Sequence, residues 1–437
     1  MSNLKIHISN FRAIEDAQIA LNGITVLTGL NATGKSTIGR MMYYTGHFAN
    51  HYHQLIDGIL GRKMEGITLY LRQNFELLSD TQKMDFLLNG YFTFQETVTE
   101  EVAIKSIEGI ENHYINGAQV KSLDRERLGK VLGKQIRDRR SFFSALNDLK
   151  KLVTDIYADY NKDLKERPPH YLRDKLNQLF NTSKESLMKS LIVKEGDEEI
   201  ISPNRKNIGV FTSLDSVFYM DTPMIANFPG KLPSGILDQN WEELIRLFYD
   251  GNTIALDSEG EQMVSLLNEV IQGTIELPAR DQEGTMRNRK ILFKDNIGNS
   301  YPLKEAATGI KSFSLLQSLL TKGRLNDKTL LIIDEPEAHL HPQWVVEYAR
   351  MVTLLNQKLG VRFLIATHSP RLVQTLDLLA YDKETNKESP LKFYLSEKAE
   401  PEKQGYRFRE LTAEEGIEPI FECFNTAYDL INDYIGE

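Results

Sequence analysis

Gly29-Leu30-Asn31-Ala32-Thr33-Gly34-Lys35-Ser36-Thr37 is the stretch that decides the fold. The apolar run Ile24-Thr25-Val26-Leu27 leads into it, and Ser36-Thr37-Ile38-Gly39-Arg40-Met41-Met42 reads as the helix leaving it. Strand, glycine loop and helix in this order make a phosphate-binding loop. The glycines let backbone N–H groups turn towards an anion, and the helix presents its N-terminus to the same charge. Asn31, Ala32, Thr33, Gly34, Lys35, Ser36 and Thr37 are therefore the expected nucleotide-binding residues. Lys35 should meet the β- and γ-phosphates, and the Ser36 hydroxyl should hold Mg²⁺.

About 300 residues further on, Leu330-Leu331-Ile332-Ile333 reads as a buried strand ending in Asp334-Glu335. Asp334 is expected on the metal, directly or through water. Glu335, one residue beyond, can accept a proton from an attacking water. Phe363-Leu364-Ile365-Ala366-Thr367-His368 brings His368 to the C-terminal end of a further strand, where open α/β sheets place their ligand sites. There the imidazole can sense a γ-phosphate through a hydrogen bond. A fourth potential anion site is Thr308-Gly309, a small hydroxyl and a glycine at a helix start. A compact P-loop kinase or GTPase brings its acidic motif much sooner. The spacing here implies one nucleotide-binding domain divided by a large insertion.

The pattern between the motifs is expected to divide the 437 residues into four parts. Residues 1–46 form the first part of the head and 47–205 a mainly helical insertion lobe. Residues 206–287 form a mixed segment that partly rejoins the head, and 288–437 complete it. Within the lobe, Leu128, Val131, Leu132 and Ile136, then Phe143, Leu146, Leu149 and Val153, recur at three- and four-residue spacing. No sustained heptads support a long coiled coil. Strands and helices alternate after Lys311, which predicts an α/β fold with a mixed, largely parallel sheet.

Hydrophobic content of 41% and charged content of 26% are those of a globular protein. No apolar run is long enough to span a bilayer and no signal peptide opens the chain, so a cytoplasmic protein without membrane contact is expected. The single cysteine, Cys423, excludes an intramolecular disulfide framework. A net charge of −9 does not favour nonspecific nucleic-acid binding. A local basic stretch holding Arg125, Arg127, Lys130, Lys134, Arg137, Arg139 and Arg140 leaves DNA contact as an alternative. His47, His51 and His53 invite a metal reading, but only Asp57 stands near to complete a ligand set.

Taken with Asn10-Phe11-Arg12-Ala13-Ile14, these motifs resemble the ABC-type ATPase head of the RecF/SMC branch. The segment Asp334-Glu335-Pro336-Glu337-Ala338-His339-Leu340-His341-Pro342 brings the resemblance closest to OLD-like AAA-family ATPases of prokaryotic anti-phage systems. The resemblance covers residues 1–45 and 288–437. It implies an ATP- and Mg²⁺-dependent ATPase whose heads associate head to tail, as a dimer or higher oligomer. It also implies that Thr308 and Gly309 contact the γ-phosphate of a second subunit, that Glu337–His341 cross the dimer interface, and that Arg12 lies near the nucleotide. Gln54 and Gln73 are the candidates for a glutamine loop.

Two departures from the family pattern matter: Thr308 replaces a usual serine without a second glycine after Gly309, and Ala32 stands where many relatives have glycine. OLD-family nucleases carry a TOPRIM domain after the ATPase. The residues after Pro370 show no Glu plus Asp-x-Asp constellation, so a separate effector, a nuclease or toxin, is expected. The alternatives are a RecF-like DNA-binding repair or chromosome-maintenance ATPase and, against the motif spacing, a transporter ATPase subunit.

Overall fold

The computed structural model describes residues 3–90, 98–182, 187–228, 239–250, 253–276, 291–382, 387–388, 390–399 and 405–435. Two compact units emerge. One contains Met1–Asn50, Leu176–Arg205 and Gly209–Glu437, and the other His51–Lys175 with Lys206–Ile208.

The first unit is built on a ten-stranded sheet. Its opening elements are β1 (Leu4–Phe11), β2 (Ile14–Ala20), β3 (Ile24–Thr28) and α1 (Lys35–Asn50). Along β1, Leu4, Ile6 and Ile8 are buried and Lys5 and His7 point away, the alternation of a strand with one covered face. Every residue of β3 is buried, as expected where helices cover both faces. Helix α1 is buried nearly all round, including Met41, Met42, Tyr43, Tyr44 and Phe48, which makes it a core helix.

The second unit is helical: α2 (Tyr52–Gln73), α3 (Asp80–Gly90), α4 (Glu100–Ile115), α5 (Ser122–Leu132), α6 (Arg139–Glu166) and the first part of α7 (Pro169–Leu179). Its core joins Met64, Leu71, Ile107, Phe142 and Leu149. Helix α6 starts at a capping box in which Asp138 Oδ1 accepts from the Ser141 N–H at 2.7 Å. Its inward stripe is Phe142, Leu146, Leu149, Val153 and Ile156. Much of the basic stretch is committed locally. Arg125 donates to the Arg137 carbonyl at 3.0 Å and Arg139 to the Tyr114 carbonyl at 2.6 Å. Lys130 pairs with Glu126 and Lys134 with Asp148.

This helical unit is shorter than the 47–205 lobe expected from the sequence. α1 continues in the head to Asn50, and Leu176–Arg205 pack with the head. The physical reason is β4 (Leu191–Glu195), which pairs antiparallel with β1 and buries Leu191 and Val193 there. The chain continues through β5 (Glu198–Ile201), β6 (Ser216–Met220), α8 (Gln239–Tyr249), α9 (Ser258–Ile271) and a small sheet, β7 (Gly273–Glu276), β8 (Leu292–Asp295) and β9 (Ser300–Pro302). Residues 277–287 of the expected mixed segment lie outside the described residues.

Next come α10 (Thr308–Thr321), β10 (Thr329–Asp334), α11 (Pro342–Leu359), β11 (Arg362–Ala366), α12 (Pro370–Leu379) and the short pair β12 (Tyr381–Asp382) and β13 (Lys387–Glu388). The hairpin β14 (Leu391–Lys398) and β15 (Tyr406–Glu410) precedes α13 (Glu418–Ile435).

The sheet order is β5-β4-β1-β2-β15-β14-β3-β11-β10-β6. The half β14-β3-β11-β10-β6 is parallel throughout. The other half is antiparallel apart from the β15–β2 pairing. The fold is therefore α/β with a mixed sheet, and its parallel half gathers the C-terminal ends of β3, β10 and β11 at one edge. Among the described residues no helix is long and apolar enough to cross a membrane.

Candidate active site

The loop after β3 bends through positive φ at Gly29 (123°), Ala32 (62°) and Gly34 (107°). Ala32 thus occupies the left-handed region that glycine adopts freely, at a cost of roughly 1 kcal/mol. Gly34 is constrained by space as well as by φ, because a Cβ there would lie 2.6 Å from Ile14 Cγ1. The Thr33 hydroxyl donates to the Leu30 carbonyl at 3.1 Å, closing the turn. Asn31, Ala32 and Ser36 are exposed and Thr37 is half-buried, so the loop and the start of α1 are open to an anion.

Lys35 is buried and folded back over its own loop. Its Nζ donates to the carbonyls of Gly29 (3.1 Å) and Leu30 (2.7 Å). Burial pushes this ammonium down to about 8, against the pull of Asp334 and Glu335. Polyphosphate oxygens are stronger partners for a buried ammonium than two neutral carbonyls.

Asp334 ends β10. Its Oδ2 accepts from the Tyr219 hydroxyl at 3.0 Å, while Oδ1 is buried and takes no hydrogen bond. Burial raises this carboxyl above its ordinary range despite the opposing hydrogen bonds of Ser36 and Tyr219. Glu335 sits in the left-handed region (φ 48°, ψ 55°), where its N–H donates to the Ala366 carbonyl at 2.8 Å. Its carboxylate is half exposed, and Oε1 lies 3.5 Å from His368 Nε2. The His368 ring is shifted down, first by burial and then by Lys35, so it is a neutral imidazole near pH 7. Glu337 fastens these pieces together, since its Oε1 accepts from the Thr367 hydroxyl at 2.6 Å and from the His368 N–H at 2.8 Å.

Lys35, Ser36, Asp334, Glu335 and His368 thus meet at one edge of the sheet. The set fits a divalent cation beside a polyphosphate. A buried carboxylate oxygen lacks a partner, a serine hydroxyl bonds to the same carboxylate, and acidic groups outnumber the one buried lysine. Among the described residues no cluster of three or more His, Cys, Asp or Glu side chains forms a metal cage. Mg²⁺ shared with substrate phosphates does not require one.

Other expected residues fall elsewhere. Thr308 and Gly309 open α10, whose N-cap, Ala307, supplies no side-chain cap. The atoms nearest Gly309 are those of Trp344 and Leu340, with a Cβ placed 2.5 Å from the indole. Arg12 lies in the β1–β2 turn, two residues before Ile14, the residue beneath Gly34. Its guanidinium, however, donates to the Phe180 carbonyl at 2.7 Å and lies over the Phe180 ring. A carbonyl just past the end of α7 needs a donor, and the arginine supplies it. Gln54 and Gln73 lie on α2 in the helical unit. His47 is buried on α1 with its Nε2 2.9 Å from Gln239 Nε2 and its Nδ1 3.5 Å from Glu243, whereas His51 and His53 belong to the helical unit. Sequence reading missed Tyr219 and the fastening role of Glu337. A tyrosine inside the apolar run Val217–Met220 was the available signal, because a buried phenol needs a partner.

A family profile described as an AAA ATPase domain matches residues 1–373. The chain belongs to this family. Protein ea59 of Escherichia phage lambda is 28% identical to this AAA ATPase-domain chain over 163 residues, which is 37% of the chain and 29% of that protein's length. Among solved structures, the chain is similar to the Smc head domain derived from Pyrococcus furiosus bound to the C-terminal domain of ScpA. That match has a TM-score of 0.38 and 10% identity and covers 97% of this chain and 99% of the other. It is similar to the SMC head domain from Thermotoga maritima, with a TM-score of 0.34, 10% identity and coverage of 94% and 100%. A third similar structure is the ADP conformation of an ATP-binding cassette of an ABC transporter, with a TM-score of 0.36, 12% identity and full coverage of both chains.

Proposed function

We propose that this chain is an ABC-type ATPase that binds ATP with Mg²⁺ and hydrolyses it to ADP and phosphate. The observation that carries the reading is the meeting of the glycine loop, Asp334, Glu335 and His368 at the C-terminal edge of β3, β10 and β11. In this reading, the Asn31–Thr37 loop and Lys35 bind the phosphates. Ser36 and Asp334 hold Mg²⁺, which when bound offsets phosphate charge. Glu335 takes a proton from the attacking water. The neutral His368 donates a hydrogen bond to the γ-phosphate, with Glu337 fixing the backbone beneath it.

Two copies meet head to tail, each offering the uncapped N-terminus of α10, with Thr308 and Gly309, to the nucleotide of the other. The nucleotide favours the closed pair because it binds that state better. The helical unit transmits the change to a separate effector, a nuclease or toxin, in a cytoplasmic anti-phage defence system. Support for that role is the motif resemblance to OLD-like ATPases. Internal use of Arg125, Arg139, Lys130 and Lys134 makes the RecF-like DNA-binding alternative the weaker reading.

Glu335→Gln tests the chemistry. Turnover should fall by about 10²–10⁴-fold, the usual worth of a general base. ATP-dependent association, read by light scattering, should persist. Hydrolysis by the variant at the wild-type rate would refute the assignment.

A further inference from the structure

Tyr219 lies on β6, paired in register with Ile332 of β10, and its hydroxyl reaches Asp334 at 3.0 Å. With Oδ2 tied in this way, the carboxylate presents Oδ1 in one direction. That second oxygen is buried and has no hydrogen-bond partner. A ligand held at one oxygen has less freedom to rotate, and partners behind metal ligands commonly set both orientation and basicity.

The phenol is itself clamped. Its ring stacks on Tyr43 of α1, centroids 6.2 Å apart at 30°. The Tyr43 hydroxyl donates to Glu243 Oε2 of α8 at 2.9 Å. Asn240 of α8 reaches the Tyr219 carbonyl at 3.5 Å, and Trp241 donates to Asp221 just past the end of β6 at 2.7 Å. Tyr219 is therefore gripped between the helix that begins at Lys35 and the N-terminal turns of α8.

We propose that Tyr219 is a positioning residue that aims the Asp334 carboxylate at the metal, with Tyr43 and Glu243 holding the phenol in place. The proposal rests on the ATP-Mg²⁺ reading above. A bulky core residue would also fill this space, so the hydroxyl must be tested apart from the ring. Phenylalanine makes that separation.

The experiment measures binding of a fluorescent ATP analogue to wild type, Tyr219→Phe, Tyr43→Phe and Asp334→Asn, in EDTA and across a Mg²⁺ titration. For Tyr219→Phe, affinity in EDTA should match wild type. The Mg²⁺ concentration giving half of the metal-dependent gain should rise by about tenfold, the lower end for losing such a partner. Tyr43→Phe, which loosens the clamp but keeps the Tyr219 hydroxyl, should raise it by about threefold. A Tyr219→Phe midpoint within about twofold of wild type overturns the proposal, as does an equal loss of affinity with and without Mg²⁺. If Tyr219→Phe does not fold, an unchanged midpoint in Tyr43→Phe overturns it instead. A wild-type protein that binds the analogue without any Mg²⁺ effect, like Asp334→Asn, overturns the ATP-Mg²⁺ reading and this proposal with it.

Discussion

Raising the pH should weaken nucleotide binding through Lys35. Burial holds its ammonium at about 8 rather than at the ordinary 10.5. Phosphate oxygens would favour the charged form and restore the higher value, so binding draws in a proton wherever the free protein has lost one. With 8 in the free protein and 10.5 in the complex, affinity is nearly flat below pH 7 and falls about tenfold between pH 7 and pH 9.

At pH 8 about half a proton should be taken up per nucleotide bound. Calorimetry in buffers of differing ionisation enthalpy measures that uptake directly. Lys35→Arg keeps its charge at these pH values, so it should lose the slope even if it binds more weakly. Wild-type affinity that is constant from pH 7 to pH 9, or the same slope in Lys35→Arg, would show that nucleotide binding is not linked to protonation of Lys35. Folding stability responds to pH in the opposite direction from binding. Lys35 favours protonation in the unfolded chain, so its contribution makes the empty protein more stable as pH rises from about 8 to 10.5.

Ala32→Gly should stabilise the empty protein by about 0.5 kcal/mol, the relief of left-handed strain less part of glycine's entropy, and chemical denaturation would show it. A destabilised variant would mean that the Ala32 methyl makes contacts outweighing its φ of 62°. Glu195 accepts hydrogen bonds from the backbone and hydroxyls of Thr212 and Ser213. Burial alone would raise this carboxyl, but those bonds outweigh it and hold it at about 2. Glu195→Ala should cost about 2 kcal/mol at neutral pH by removing the charge-assisted hydrogen bonds that the carboxylate accepts from Thr212 and Ser213. Because the folded value is depressed, that difference should be complete above pH 4.5 and shrink as pH falls towards 2. Urea midpoints of the two proteins that stay equally far apart down to pH 2 would contradict this.

The nucleotide motifs were legible because their chemistry is local: glycine φ angles, an apolar strand and its terminal carboxylates each occupy a few consecutive residues. The α/β class with a mixed, largely parallel sheet was also readable, since β3, β10 and β11 are mostly apolar and alternate with helices. What escaped depended on distant partners. Nothing in Leu191–Glu195 announces that it pairs with Leu4–Ile8 and so belongs to the head. The hydrogen bond from the Arg12 guanidinium to the Phe180 carbonyl, 168 residues away, likewise has no local signal. Tyr219 looked like one more apolar strand residue until β6 came to lie beside β10.

The place of β14 in the sheet bears on biosynthesis. β3, which feeds the glycine loop, is flanked by β11 and β14, and Thr28 bonds to Tyr394 across 366 residues. At roughly 5–20 residues per second, a ribosome needs about 20–70 s to supply that neighbour after β3 has emerged. The helical unit, whose contacts are closer in sequence, can assemble within that interval. The five buried residues of β3 must wait with open edges. Nascent chains arrested before β14 should therefore engage holding chaperones and fail to retain nucleotide, although they already carry every residue assigned here to the chemistry.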